Sequence, residues 1–291
     1  MANAAPNFAV SDIAFAEVPW RGRPVQIEHA WIAPQRQQAP LMVFLHEGLG
    51  SLAMCKGFAQ QVCAALGWRG LVYSRPGHGR STPRAADEAW GPDFLHQQAL
   101  ELLPALLLAL GVDCQRHPPW LLGHSDGGSI ALLYAAHHPR ALAGAVVLAP
   151  HIVVEDLTVH SIEQARQAYL SGDLRQRLAR YHDDPDSAFW GWNRAWLNPA
   201  FRAWSIEAEI ATITCPLLAV QGLDDAYGTL QQIRGIAHRL PQTRLLELAH
   251  CGHSPQRDQA DALCQAVVAF CRDHLPAAAA ASPPSMSNAK P

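Results

Sequence analysis

Residues 120–128 read Trp120-Leu121-Leu122-Gly123-His124-Ser125-Asp126-Gly127-Gly128, and this stretch decides the fold. A short apolar run passes into a G-x-S-x-G pattern, and the pattern runs directly into the helix-forming residues 129–137. A strand that turns into a helix with no spacer leaves Ser125 on a tight, strained turn, with its hydroxyl presented at the end of the sheet. Side chains at Gly123 or Gly127 would collide with neighbouring backbone at such a turn. The helix that follows directs the partial positive charge of its N-terminus at the serine.

Working outward, similar apolar runs occur at residues 41–45, 70–73, 145–148, 217–220 and 245–248. Runs without polar alternation are what strands buried on both faces look like. Residues 25–33 mix apolar and polar positions, as an exposed early strand does. Helical stretches separate the runs at residues 58–66, 94–110, 129–137, 230–240 and 260–270. The alternation predicts an α/β fold, a mostly parallel sheet with helices on both faces. Residues 152–210 break the rhythm: they contain no buried-strand run and become helical and charged, then rich in aromatics. This predicts an inserted helical cap that divides the core into residues 1–151 and 211–275. The cap tryptophans Trp190, Trp192 and Trp196 are candidates for lining a substrate pocket; the alternative is that they only hold the cap together. Residues 276–291 are of low complexity and are predicted to be disordered.

A serine hydroxyl needs a base to take its proton and a carboxylate to hold that base in one tautomer. The run at 217–220 opens into Gln221-Gly222-Leu223-Asp224-Asp225, and that at 245–248 into Ala249-His250-Cys251-Gly252-His253-Ser254. Parallel strands place their C-terminal ends together, so both loops leave the sheet where Ser125 stands. The chain order serine, aspartate, histidine is the one expected of a nucleophile in this strand-to-helix context. From these residues alone Asp224 competes with Asp225, and His250 with His253. His250, Cys251 and His253 also suggest metal ligands, but no fourth ligand stands nearby, so no metal is expected.

Taken with these loops, residues 40–275 resemble the α/β-hydrolase family. In that family the acid stands three residues after the glycine of a G-x-x-D loop and the base follows the glycine of a G-H pair. The resemblance therefore implies Ser125 as nucleophile, Asp225 as acid and His253 as base. An oxyanion hole needs two backbone N–H groups aimed where negative charge develops. One belongs to the residue after the nucleophile, Asp126. The loop His46-Glu47-Gly48-Leu49-Gly50-Ser51 resembles the His-Gly loop of the family, which implies Gly48 as the other donor. Glu47 departs from the family, where glycine is usual, and is a further pocket candidate. Pointing inward, it would join Asp126 in repelling a substrate carboxylate; turned outward or paired with Arg75, it would be structural. The loop Arg75-Pro76-Gly77-His78-Gly79-Arg80-Ser81 is also family-like and is read as structural.

The composition narrows the partner. With 49% hydrophobic and 16% charged residues over 291 positions, the chain is globular and buries about three quarters of its extended surface. Lys and Arg (22) nearly balance Asp and Glu (25), so neither nucleic acid nor an anionic membrane is expected; the partner is a small molecule. The longest apolar run, residues 102–112, is too short to span a bilayer. The seven cysteines are odd in number, scattered and without a CxxC pair, and no secretory signal is visible, so a cytoplasmic protein with reduced thiols and no cofactor is expected. Nothing in the sequence specifies an oligomer.

Three functions compete. The first is hydrolysis of a small carboxylic ester, lactone or thioester through an acyl-serine. The second is a carbon–carbon bond hydrolase acting on ring-cleavage products of aromatic compounds. Those enzymes resemble this chain in cap and triad but commonly carry asparagine before the nucleophile and tryptophan after the histidine, where His124 and Ser254 stand here. The third is a catalytically silent ligand-binding protein, against which the intact triad and elbow argue.

Overall fold

The run Leu41–Leu45 shows how the molecule is layered: Leu41, Val43 and Leu45 enter one apolar core, Met42 and Phe44 another, because successive strand residues face opposite sides of a sheet. The computed structural model describes residues 11–55, 57–85 and 87–275, so the predicted disordered tail at 276–291 lies outside the described residues. Its strands are β1 (Ala14–Trp20), β2 (Arg23–Ile32), β3 (Leu41–Leu45), β4 (Arg69–Tyr73), β5 (Trp120–His124), β6 (Gly144–Leu148), β7 (Leu217–Gly222) and β8 (Arg244–Leu248). They form one sheet in the order β1-β2-β4-β3-β5-β6-β7-β8. The pairs from β4 to β8 are parallel, whereas β1 and β2 are antiparallel to their neighbours. The α/β fold expected from the apolar runs is the fold observed.

The helices are α1 (Phe58–Leu66), α2 (Phe94–Gln97), α3 (Leu103–Ala109), α4 (Asp126–His137), α5 (Asp156–Ser171), α6 (Leu174–Leu178), α7 (Pro185–Trp196), α8 (Glu207–Ile210), α9 (Gln231–Arg239), α10 (Pro255–Asp258) and α11 (Ala260–Asp273). Helices α1 and α11 cover one sheet face, contributing Phe58, Val62, Leu263 and Val267 to its core. Helix α4 covers the other, and every residue of it except His137 is buried. The segment between β6 and β7 carries α5 to α8 and adds Phe189, Trp192, Trp196 and Phe201 to the same core as α4.

Two elements differ from expectation. Strand β1 is absent from the sequence reading because most of its residues are exposed and only Val18 and Trp20 are buried. It pairs along its whole length with β2 through Arg21 and Gly22, both at positive φ (49° and 78°), the geometry of a two-residue hairpin. The single helix expected at 94–110 is instead α2, a π-helical turn (Gln98–Leu102) and α3. Pro104 lacks the N–H that would continue an α-helical ladder, and the wider turn precedes it.

The strand ends set up the site. Leu45 pairs with Gly123, His124 with Leu148, and Gly222 with Leu248, so β3, β5, β6, β7 and β8 end together. Ser125 occupies the turn after β5 at φ 52° and ψ −118°, a region costly to a residue with a Cβ. Its N–H donates to the Leu148 carbonyl at 2.8 Å and its carbonyl accepts from Ser129 N–H at 3.0 Å. A Cβ on Gly123 would stand 2.1 Å from the Gly127 carbonyl oxygen, and one on Gly127 2.2 Å from that of Leu45. Both obstacles are backbone and cannot swing aside. Gly127→Ala should therefore lower the unfolding free energy by about 2–4 kcal/mol in urea titrations. A loss below about 1 kcal/mol would show that the elbow has room it does not display here.

Candidate active site

The structure brings Ser125, His253 and Asp225 together from three strand ends. Ser125 Oγ lies 2.9 Å from His253 Nε2, and His253 Nδ1 lies 2.9 and 3.0 Å from the two carboxylate oxygens of Asp225. A carboxylate only accepts, so Nδ1 carries the proton and Nε2 is left to accept from the serine hydroxyl. Asp225 is fixed further by the Tyr227 N–H at 2.8 Å and the Gln221 side-chain amide at 3.1 Å. Burial raises the Asp225 carboxyl, but hydrogen bonding and charge from His253 more than offset it, and the group stays below the usual aspartate value. Burial also pushes His253 below the ordinary histidine value against the pull of Asp225, which leaves the imidazole neutral near pH 7. The competing residues are elsewhere: Asp224 and His250 are both exposed. Among the described residues no group of three His, Cys, Asp or Glu side chains is placed to hold a metal ion.

Gly48 and Asp126 stand at the start of the loop after β3 and at the first residue of α4. Among the described residues neither of their N–H groups has an acceptor. Gly48 lies under the indole of Trp192, and a Cβ there would be 2.2 Å from Trp192 Nε1. Trp196, one helical turn on from Trp192 in α7, donates from Nε1 to Asp126 Oδ1 at 3.0 Å. Trp190 does not belong with them. Two residues before Trp192, it is rotated by about 200° around the helix. There it packs edge-on against Tyr169 and Phe189, under the Arg194 guanidinium.

The carboxylate of Glu47 faces a histidine, and Arg75 reaches only its main-chain carbonyl. Its carboxylate lies 3.4 Å from His124 Nδ1. Burial acts against ionisation, but the hydrogen bond and charge of His124 bring the Glu47 carboxyl down to about 2. Burial likewise opposes the charged form of His124, and Glu47 reverses this to raise it above the usual value. The other nitrogen of His124, Nε2, donates to the His253 backbone carbonyl at 2.6 Å. Glu47 is compensated when His124 is protonated, and in either state His124 anchors the loop of the base. Both line a cavity of about 80 Å³ with Gln256, Ser51, Cys55 and apolar side chains including Phe44, Phe58 and Leu148; the tryptophans of α7 take no part in it.

Sequence reasoning missed three residues. Arg75, read as structural, is fully buried and faces Asp126 Oδ2 at 3.3 Å. His124 was visible only as a departure from asparagine. His151, after β6, packs on Trp196 with ring centres 4.9 Å apart and lies 6.0 Å from His253. No motif marks it, since the turn after β6 carries no fixed spacing to the other loops.

Comparison with known proteins gives the family. The model of the alpha/beta hydrolase family matches residues 42–266. A protein of Pseudomonas savastanoi pv. phaseolicola named as a carbamate hydrolase, RutD, is 30% identical over 243 residues, covering 76% of this chain and 89% of its own length. A 2-hydroxy-6-oxo-6-phenylhexa-2,4-dienoate hydrolase of Burkholderia cepacia is 22% identical over 260 residues, covering 80% of this chain and 88% of its own. Among solved structures, the enol-lactonase of Burkholderia xenovorans LB400 superposes with a TM-score of 0.65 at 20% identity, over 89% of this chain and all of its own, a likeness of fold. The chain belongs to the alpha/beta hydrolase family and is an enzyme of that family.

Proposed function

We propose that the chain is a serine hydrolase that cleaves a small carboxylic ester, lactone or thioester through an acyl-serine. The observation that carries this reading is the 2.9 Å contact between Ser125 Oγ and His253 Nε2, with His253 Nδ1 held by Asp225. In the reaction Ser125 Oγ attacks the acyl carbon while His253 Nε2 takes its proton. Asp225 stabilises the imidazolium that forms. The Gly48 and Asp126 N–H groups receive the oxyanion of the tetrahedral intermediate. Collapse expels the leaving group with the proton from His253, and water then repeats the sequence to free the acid.

Residues 152–210 act in this reading as a cap, with Trp192 and Trp196 facing the reacting centre. Trp192 lies against Gly48, which favours small acyl groups. Compensation of Glu47 by His124 removes much of the repulsion that an anionic acyl group would otherwise meet. Seven unpaired thiols, five of them buried, suit a cytoplasmic enzyme. The names of two relatives add carbamates and vinylogous 1,5-diketones to the substrates worth comparing.

A hydrolysis panel of aryl esters, lactones, acyl-CoA thioesters, carbamates and vinylogous 1,5-diketones tests the reaction class. The ester, lactone or thioester arm should give the highest kcat/KM, and turnover confined to the diketone would replace this reading with carbon–carbon cleavage. Ser125→Ala should reduce kcat by about 10⁴-fold or more while leaving the melting curve unchanged. Retention of about a tenth of the activity would remove Ser125 from the mechanism, and a wild-type protein inert to fluorophosphonate would favour a silent binding protein.

Asp225→Asn should cost about 10³- to 10⁴-fold in kcat, because an amide cannot hold Nδ1–H, whereas Asp224→Asn should change it by less than about threefold. Equal losses would mean that the carboxylate has been wrongly assigned. The pH profile has a definite sign. His253 must be neutral to accept a proton, and burial lowers its pKa beneath the ordinary 6.5. So kcat/KM should be flat through neutrality and fall on the acid side with a midpoint under 6.5. A midpoint above about 7 would contradict the neutral imidazole that burial favours in this site.

A further inference from the structure

We infer that Arg75 is a positioning residue of the oxyanion hole, aiming and polarising the Gly48 N–H by way of the Glu47 carbonyl. The inference rests on the proposal that Ser125 is the nucleophile and that Gly48 and Asp126 supply the donors.

Arg75 follows β4 and has no exposed surface. Its Nη2 donates to the Glu47 carbonyl oxygen at 2.9 Å and lies 3.3 Å from Asp126 Oδ2. One guanidinium nitrogen therefore touches both halves of the hole from behind. The peptide joining Glu47 to Gly48 is planar and trans, so its C=O and N–H point in opposite directions. Whatever holds the carbonyl aims the N–H.

Three donors hold that carbonyl: Arg75 Nη2, His46 Nδ1 at 2.7 Å and the Gly50 N–H at 3.1 Å. Arg75 also governs the second of them. Its backbone N–H donates to His46 Nε2 at 3.0 Å, which makes Nε2 the bare nitrogen and places the proton on Nδ1, facing Glu47. Burial, reinforced by the Arg75 charge, keeps His46 neutral in that tautomer. Donors on a peptide oxygen strengthen the N–H at the other end as a donor. The Gly48 N–H has no acceptor among the described residues and is left for the reaction.

The second half of the hole is also served. Asp126 carries a buried carboxylate one residue from the nucleophile, where an uncompensated charge would oppose a developing oxyanion. Arg75 and the Trp196 N–H at 3.0 Å are its partners. A role confined to neutralising Asp126 is thus the competing explanation, and it predicts a different result.

The test compares wild type, Arg75→Met and the double variant Arg75→Met/Asp126→Asn. With p-nitrophenyl acetate as substrate and phenylboronic acid as transition-state analogue, kcat, KM, analogue affinity and the melting curve are measured. Arg75→Met should lower kcat by about 10- to 100-fold and weaken the analogue by the same factor, with KM changed by less than about twofold. The double variant leaves no buried carboxylate unpaired, so it should regain stability and serves if the single variant does not fold; its kcat should stay low. Full recovery of kcat in the double variant would overturn the inference in favour of simple neutralisation, and so would unchanged analogue affinity in Arg75→Met. Fluorophosphonate labelling separates the two levels. A labelled Ser125 with an unaffected Arg75→Met overturns this inference alone, whereas failure to label Ser125 in the wild type removes the nucleophile on which it stands.

Discussion

The turn at Ser125 is the constraint on which the rest of the structure depends. A residue with a Cβ at φ 52° and ψ −118° costs about 1–3 kcal/mol, and it persists only where its surroundings determine it. Here they do so through hydrogen bonds to Leu148 and Ser129 and through glycines whose missing side chains let β3, β5 and α4 meet at backbone contact. The same closeness puts the loop after β3 beside the N-terminus of α4. Asp126 follows the serine directly, and the loops after β7 and β8 reach it because their strands end level with β5.

Around this turn each buried carboxylate of the site is given a polar partner. Asp225 accepts hydrogen bonds from neutral His253, from the Tyr227 N–H and from Gln221, while Glu47 faces His124 and Asp126 faces Arg75. A buried charge left alone costs several kcal/mol, so each partner is required once its mate is present. The pairs are also linked mechanically. His124 holds the main chain of His253, and Arg75 holds the main chain of Glu47 while facing Asp126. Electrostatic balance and positioning of the reacting groups are therefore served by the same side chains.

How much of this is legible in the sequence follows from how local each signal is. Buried parallel strands such as Leu41–Leu45 announce themselves because both faces are apolar, whereas β1 is hidden by its exposed residues and the break before α3 leaves only Pro104 as a trace. Ser125, Asp225 and His253 are legible because each sits on a short loop directly after a strand. The ion pair behind them is not: Arg75 and Asp126 are 51 residues apart, and only the fold shows that they touch. Trp190 illustrates a different limit. Composition groups it with Trp192 and Trp196, and helical phase separates them.

The central claim is that Ser125 becomes acylated during turnover. The most direct measurement is mass spectrometry of the peptide containing Ser125 after rapid acid quench with an activated aryl ester. The account predicts one acyl group on Ser125 in the wild type, accumulating in a burst that matches release of the aryl alcohol. An acyl group on another residue, or steady hydrolysis with no covalent species at Ser125 on any timescale sampled, would contradict it.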